Sequence, residues 1–290
     1  MSLPPTTPPA TPSTPGQALS DGPGQPRTRP VLHQSHTAQT LAMSKRSVLA
    51  LWRQPALVVP SLIFPLFFAA LGTASFSRAT ALPGFPDVDS YLDFALAGAI
   101  VQGILFGSTV GAAALATDIE NGFFDRLLSS PSTRSGIIVG RMAGGMVYGA
   151  FQTIFFIAIL LPFGLNVEGG IAGTLTMALG GTLLALAVGG LMSAMAIKTG
   201  SAEAVQGAFP LLFIALFFSS AFFPRETMSG IYGRLADFNP ISYLVEGFRD
   251  LTIEGFSFNA LLRAVLIPAV LAVLTVLLSL RTLNNRLGSG

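Results

Sequence analysis

The 290-residue sequence contains no cysteine and only two histidines, His33 and His36, which lie close together in a polar stretch. The lack of cysteine excludes disulfides, thiolate metal sites and cysteine nucleophiles, and so few histidines leave no basis for metal chemistry. A phosphate-binding Gly-x-x-x-x-Gly-Lys-Ser/Thr loop is also missing, because neither Lys45 nor Lys198 follows a glycine. The chain is therefore not expected to hydrolyse nucleotides by itself.

Charged residues are scarce as well. They make up 10% of the chain, against 51% hydrophobic residues, and the mean hydropathy is +0.65. This balance is too apolar for a water-soluble domain and predicts an all-α integral membrane protein. The net charge of +2 is small, and no basic cluster is present. The sequence therefore indicates no nucleic-acid partner.

The ends of the chain differ from the rest in composition. Residues 1–32 include nine prolines among Ser, Thr, Gln and Gly. Such a segment cannot bury enough apolar surface to offset its ordering entropy, and it lacks the basic start and apolar core of a signal peptide. We predict a disordered, proline-rich cytoplasmic tail over residues 1–36, a transmembrane domain over 37–283 and a short C-terminal tail over 284–290.

Six later windows are long and apolar enough to cross roughly 30 Å of hydrocarbon, which takes about 20 helical residues. They contain almost no charge, and only Arg141 and Arg263 lie near an end of a window. The pattern predicts six transmembrane helices, over residues 56–76, 94–117, 139–161, 171–196, 205–223 and 262–280.

Lysine and arginine near the ends of the windows predict the orientation, since these residues are retained on the cytoplasmic side. With the N-terminus inside, eleven basic residues fall on the inner segments and five on the outer ones, Arg78, Arg225, Arg234, Arg249 and Arg263. Both termini are therefore predicted in the cytoplasm, and the chain in the cell membrane.

An amphipathic helix is predicted just before the first window. Leu41, Val48, Leu49 and Trp52 fall near one face, and the other positions include Ser44, Lys45, Arg46 and Arg53. Such a helix lies in the cytoplasmic interface of a membrane. It serves either as a simple membrane anchor or as a contact for a cytoplasmic partner.

The segment between the second and third windows also has an amphipathic pattern. Ile119, Phe123 and Leu127 recur every four residues, and the helix must end before Pro131. Its polar face carries Glu120, Asp125 and Arg126. A short helix of this kind either transmits force from a soluble partner to two spans or is an interfacial loop helix without a partner.

These residues carry a resemblance to a known family. The segment resembles the cytoplasmic coupling helix of type-2 ABC exporter permeases, and its spacing up to Ser130-Pro131 is most similar to the daunorubicin-resistance group of drug exporters. The matching positions are Asp118, Glu120, Gly122, Phe123, Phe124, Asp125, Arg126, Leu127 and Pro131. Phe123 departs from the small threonine of many members. The larger side chain of Phe123 implies a different fit to the groove of the ATPase subunit and leaves the implied role of the segment unchanged.

A second region agrees with the resemblance. The run Phe222-Phe223-Pro224, followed by Asn239, Pro240 and Arg249, is similar to the family's outer segment between its last two spans. The resemblance implies short outer re-entrant helices there. It also implies a separate ATP-binding cassette subunit that holds ATP and Mg²⁺ and docks on residues 118–128, and a second permease chain. The chain itself is then a transport subunit and not an enzyme.

Glycines recur at helical spacing in two windows. Gly103, Gly107 and Gly111 share one face of the second window, and the pairs Gly140 with Gly144 and Gly145 with Gly149 lie in the third. Small residues at this spacing permit close helix packing in membranes. They serve either packing within the chain or a dimer face.

The predicted function is outward, ATP-driven transport of a lipophilic or amphipathic compound, drug-like or lipid. The main alternative is an ion-coupled secondary carrier, which would need ionisable groups inside the membrane. No acidic residue falls within the six windows. An intramembrane enzyme would need a base near Ser108, Ser193 or Ser219, and no His or Asp lies within a window. No acidic ring or filter-like loop suggests an ion channel.

Overall fold

The computed structural model describes residues 44–45, 47–49, 55–78, 80, 85–128 and 134–288. These residues form helices and no strand. The elements are α1 (Pro55–Phe76), α2 (Tyr91–Glu120), α3 (Phe123–Leu128), α4 (Arg134–Leu160), α5 (Gly170–Thr199), α6 (Ala202–Gly207), α7 (Phe209–Phe217), α8 (Gly230–Phe238), α9 (Pro240–Ile253), α10 (Phe258–Leu261) and α11 (Ile267–Gly288).

Five helical stretches are long and apolar enough to cross a membrane, so the chain is a multi-pass membrane protein. They are Val58–Phe76, Tyr91–Glu120, Gly136–Phe163, Gly170–Thr199 and Phe258–Leu287. The prediction of an all-helical membrane fold is therefore confirmed, and five of the six predicted windows lie in these stretches.

The predicted window 205–223 differs from the structure. Its residues do not form one long helix but the shorter apolar stretch Ala202–Phe217, which is broken at Ala208 between α6 and α7. Pro210 explains the break, because it has no amide hydrogen and its ring would clash with the carbonyl four residues earlier. After Phe217 the chain forms turns up to Pro224.

The long helices α2, α4 and α5 form the centre of the bundle, and α11 packs along α5. Helix α1 packs mainly on α2 and leaves large apolar side chains exposed, as α11 does. In a membrane protein, such surfaces face lipid or another chain. Helix α11 runs to Gly288, into the segment predicted as the C-terminal tail.

The two ends of the bundle are built differently. Helix α2 begins with a capping box in which the Ser90 hydroxyl accepts the Leu92 amide and Asp93 accepts the Ser90 amide. It ends at Glu120, and 30 residues at 1.5 Å each separate its ends by about 45 Å. We call the end with Glu120 and α3 the coupling end, and the end with Ser90 and α9 the distal end.

Several predictions fall outside the described residues. These are the tail over 1–36, the helix residues Leu41, Arg46, Trp52 and Arg53, and Pro131. Of the predicted amphipathic helix, residues 44, 45 and 47–49 are described and helical. Ser47 packs against α4, since a Cβ at Gly144 would lie 2.9 Å from its backbone carbonyl carbon.

Candidate functional site

The coupling end contains most of the residues predicted to dock an ATPase. After α2 the chain reverses at Gly122, whose φ of +65° is a conformation that favours glycine. Helix α3 follows at once. Phe124 is fully buried in the core, and Leu127 and Leu128 pack against that core. Phe124 therefore anchors the short helix to the bundle.

The polar residues of this segment point away from that anchor. Asp125 and Arg126 are exposed, and Phe123 is half-buried. The predicted single helix is divided at Gly122, because its φ of +65° is not helical, so Ile119 and Glu120 end α2 and only Phe123–Leu128 form α3. Within α3 the buried residue is Phe124, and the exposed ones are Asp125 and Arg126. An exposed helix carrying both charges is suited to contact a soluble partner.

Two acidic residues beside α3 bind other helices of the same chain. The Asp118 carboxylate forms a salt bridge with Arg141 of α4, with 2.7 Å between Oδ2 and Nη1. The Glu120 carboxylate accepts a hydrogen bond of 2.8 Å from the backbone amide of Ala202, the first residue of α6. The end of α2 is therefore tied to both α4 and α6. Sequence reasoning assigned both carboxylates to a partner chain and missed these contacts.

The glycines divide into two groups. A Cβ at Gly107 would lie 2.6 Å from the Tyr148 ring, and one at Gly149 would lie 2.7 Å from the Gly181 carbonyl oxygen. A Cβ at Gly103 would collide with the Gln152 side chain. These three positions pack helix against helix within the chain.

Gly111 and Gly145 differ, because a Cβ at either position would meet no atom of the described residues within 4 Å. They line a cavity of about 240 Å³ among α2, α4 and α5, together with Ser108, Tyr148 and Ser193. The ion pair of Asp118 with Arg141 also borders this cavity. Gly140 is buried. The arrangement leaves room for a partly polar molecule close to the coupling end.

Polar residues inside the spans bind each other. The Tyr148 hydroxyl lies 2.5 Å from the Ser61 hydroxyl, and Gln152 Nε2 donates a 2.9 Å hydrogen bond to the Ser61 carbonyl. Both contacts join α4 to α1. Polar side chains inside membrane helices commonly form interhelical hydrogen bonds of this kind, but Ser61 carries no signal in the sequence that would identify it as the partner.

At the distal end, Asn239 and Pro240 begin α9. The Asn239 side chain accepts the Ile241 amide at 3.0 Å and donates to the Ala215 and Phe218 carbonyls of the α7 end. Pro240 occupies the first helical position, where no amide hydrogen is needed. These two predicted residues therefore fix α9 to the end of α7.

Arg249 of α9 is 6% exposed. Its Nη2 donates a 2.7 Å hydrogen bond to the Ser220 carbonyl, and its guanidinium carbon lies 3.8 Å from the centroid of the Phe94 ring. Burial lowers the pKa of Arg249 to about 10, although the nearby carboxylates of Glu246 and Asp250 oppose this shift. The side chain is therefore still a cation at neutral pH.

The sequence was compared with models of known protein families, and the match agrees with the helical membrane architecture. Residues 38–253 match the model of the ABC-2 type transporter family. The match covers most of the chain and includes both predicted motif regions. The chain belongs to the ABC-2 type transporter family.

Three named proteins are similar to the chain in sequence. The chain is 26% identical over 249 residues to the daunorubicin resistance ABC transporter permease protein DrrB1 of Streptomyces coeruleorubidus, covering 82% of this chain and 86% of that protein. It is 30% identical to the putative transport permease ycf38 of Pyropia yezoensis, covering 72% of each chain. It is 29% identical to the inner membrane transport permease YadH of Escherichia coli K12, covering 69% of this chain and 75% of that one. The resemblance to the daunorubicin-resistance group is thereby confirmed, and the homologues are transport permease components.

Proposed function

We propose that this chain is the transmembrane permease subunit of an ATP-driven exporter, which moves a lipophilic or amphipathic compound outward while a separate subunit hydrolyses ATP. The observation that carries the proposal is the exposed face of α3, formed by Asp125 and Arg126, on a helix that Phe124 anchors at the coupling end of a chain of this family. The partner subunit would hold ATP and Mg²⁺. Within the described residues, no group of His, Asp and Glu side chains could hold a metal ion.

The contacts around α3 suit the transmission of force. Helix α3 follows α2 after a two-residue turn, Asp118 ties α2 to α4, and Glu120 ties it to α6. A displacement of α3 by a docked partner would therefore reach three membrane helices at once. We infer that the docking surface comprises the exposed Asp125 and Arg126, with Phe123 beside them.

We propose that the chain crosses the membrane six times, with the broken pair α6 and α7 as the fifth crossing and both termini in the cytoplasm. The basic residues at the coupling end, among them Arg126, Arg141 and Lys198, support this orientation. Helices α8 and α9 would then be the outer re-entrant helices before the last span.

The relatives and the cavity support the proposed nature of the cargo. DrrB1 is named for daunorubicin resistance. The cavity beside Gly111 and Gly145 combines small apolar residues with the hydroxyls of Ser108 and Ser193. Such a lining suits part of an amphipathic drug or lipid.

A second permease chain would complete the pathway. Helices α1 and α11 expose large apolar side chains, including Phe64, Phe67 and Leu274. In the membrane these side chains would contact lipid and the second chain. We place the substrate pathway between the two permease chains.

The alternative of an ion-coupled carrier finds less support. Asp93 is buried in the first turn of α2, but its two oxygens accept the backbone amides of Asn166 at 2.9 Å and Ser90 at 3.1 Å. A carboxylate committed to backbone amides in this way is a structural cap and a poor ion carrier.

A pull-down tests the proposal directly. The tagged full chain is solubilised from its native membrane, and co-purifying polypeptides are identified. We expect a protein with a Walker ATP-binding motif in roughly equal amount. Transport by the pure chain in liposomes without ATP would replace the exporter proposal with the carrier.

A further inference from the structure

The distal end contains a second cavity that the transport cycle does not explain. This distal charged pocket has a volume of about 230 Å³ and lies between the loop before α2, the segment after α7, helix α9 and the start of the last span. A bound water needs roughly 10–15 Å³ of such space, so the pocket has room for a small polar group. Its lining consists of Pro86, Arg225, Glu226, Glu246, Arg249, Asp250, Ile253, Glu254 and Arg263.

Two guanidinium groups in this pocket have buried N–H groups that find no hydrogen-bond partner among the described residues. They are Nε of Arg249 and Nη2 of Arg225. Arg225 Nε lies 2.8 Å from Glu246 Oε1, but the two atoms are not aligned for a hydrogen bond. We therefore count this contact as an ion pair only. A buried donor without an acceptor is costly, because it has lost its water and gained nothing in return.

The pocket also carries an excess of carboxylates. Three arginines face four acidic side chains, and the acids at its rim, Glu226 and Glu254, are exposed. A simple anion would meet the acids, and a simple cation would meet the arginines, of which Arg249 is buried. A ligand with both an anionic acceptor and a cationic donor matches both sets.

We propose that the distal charged pocket binds a phosphoethanolamine group, with the phosphate on Arg249 and Arg225 and the primary ammonium between Glu226 and Glu254. The distal end is one of the two ends at which the spans meet the membrane surface, where lipid headgroups lie. A phosphatidylethanolamine lipid is therefore the expected source. Binding of this lipid would hold α9 against the first turn of α2. The inference goes beyond the proposed function and does not depend on ATP.

The test uses the purified, delipidated full chain and native mass spectrometry with three lipids of identical acyl chains. Phosphatidylethanolamine offers phosphate and N–H donors, phosphatidylcholine has a cation without N–H donors, and phosphatidylglycerol has no cation. We expect phosphatidylethanolamine to bind about tenfold or more tightly than the other two, as the loss of charge-assisted hydrogen bonds predicts. Equal binding of the three lipids would overturn the proposal, since it would leave a purely structural ion-pair network.

Variants locate the site. The double substitution Glu226→Gln with Glu254→Gln should abolish the preference for phosphatidylethanolamine over phosphatidylcholine. The matched control, Asp87→Asn with Asp89→Asn, removes two exposed acids near the same end but outside the pocket and should keep the preference. Arg225→Gln should weaken binding of all three lipids. A preference that persists in the Glu226/Glu254 variant contradicts the assignment.

Soluble headgroups separate the two sources of the ligand without any substitution. Free phosphoethanolamine should compete with the bound lipid, and free phosphocholine should compete about tenfold less well. Binding of free phosphoethanolamine with no binding of the lipid would assign the same chemistry to a soluble zwitterion. Absence of competition by either headgroup would contradict recognition at this pocket.

Discussion

The carboxylate of Glu120 accepts a hydrogen bond of 2.8 Å from the backbone amide of Ala202, a residue 82 positions further along the chain. Ala202 is the first residue of α6, so Glu120 supplies an acceptor to a helix N-terminus whose amide hydrogens have no partner within the helix. The contact joins the end of α2 to the broken helix pair α6 and α7. It is thus a direct connection between the proposed docking segment and the proposed fifth crossing.

Removing this contact should uncouple transport from ATPase binding. In Glu120→Ala the partner subunit should still co-purify, because the exposed Asp125 and Arg126 remain, but efflux should fall several-fold. The loss in stability should be about 1 kcal/mol, as for other lost helix caps. Glu203→Ala, which removes an exposed acid from the first turn of the same helix, is the control and should leave efflux unchanged. Unchanged efflux in Glu120→Ala would refute the connection.

Charge reversal at Asp125 of the proposed docking surface, combined with reversal at Glu120 beside it, tests the whole segment. Replacing Glu120 and Asp125 together with lysine should abolish ATPase-coupled efflux and leave membrane insertion unchanged. Asp125→Lys alone should reduce co-purification of the ATPase subunit, since Asp125 lies on the exposed face of α3. Both variants can be followed by drug efflux and by quantitative pull-down. Normal efflux in the double variant would contradict the assignment of this segment as a coupling helix.

The sequence predicted the fold class because hydropathy over 20 residues is a strong, local signal. It predicted one continuous helix over residues 205–223, which was wrong because Pro210 interrupts the helix. It also predicted an amphipathic helix from the four-residue spacing of Ile119, Phe123 and Leu127, but the turn at Gly122 puts Ile119 in α2 and the other two in α3. Sequence patterns could not predict that Asp118 pairs with Arg141 or that Glu120 binds the Ala202 amide. These residues are distant in the sequence, and helix packing decides which of them come into contact. The distal charged pocket was missed for the same reason, although Glu246 and Asp250 are one turn apart on α9.

The effect of replacing Gly122 should depend on whether the new residue can adopt the same backbone conformation, and not on the size of its side chain. Its φ is +65°, and a Cβ there would meet no atom of the described residues within 4 Å. Gly122→Asn should therefore be nearly neutral, because Asn adopts this conformation readily, whereas Gly122→Val should cost roughly 1–2 kcal/mol. Thermal unfolding in detergent measures the difference. Similar stability of the two variants would argue against a left-handed turn before α3.

Two glycines one turn apart on α4 should respond in opposite ways to enlargement. Gly149→Leu should destabilise the fold by about 1–3 kcal/mol or more, since its Cβ would lie 2.7 Å from the Gly181 carbonyl oxygen. Gly145→Leu should fold normally, because its Cβ points into open space, but it should reduce efflux by filling the cavity. Stability and efflux are measured on the same preparations. Full efflux by Gly145→Leu would remove the cavity from the transport pathway.

The stability of the distal end should depend on pH through Asp250. Burial raises the pKa of this carboxyl above its ordinary value of 3.8, and Arg263, whose Nη1 lies 3.2 Å away, opposes the rise only in part. The other charged groups that act on it are Glu254, Glu246 and Arg249.

A group whose folded pKa is raised favours folding in its protonated form. Its contribution is therefore fully present below pH 3.8 and is lost as the pH rises through the folded value. Relative to Asp250→Asn, the wild-type chain should gain stability as the pH falls from neutral towards 4. Thermal unfolding of both chains in detergent across this range checks the sign, with Asp87→Asn as the control for removal of an exposed acid at the same end. A difference between wild type and Asp250→Asn that stays constant with pH would show that Asp250 does not titrate in this window.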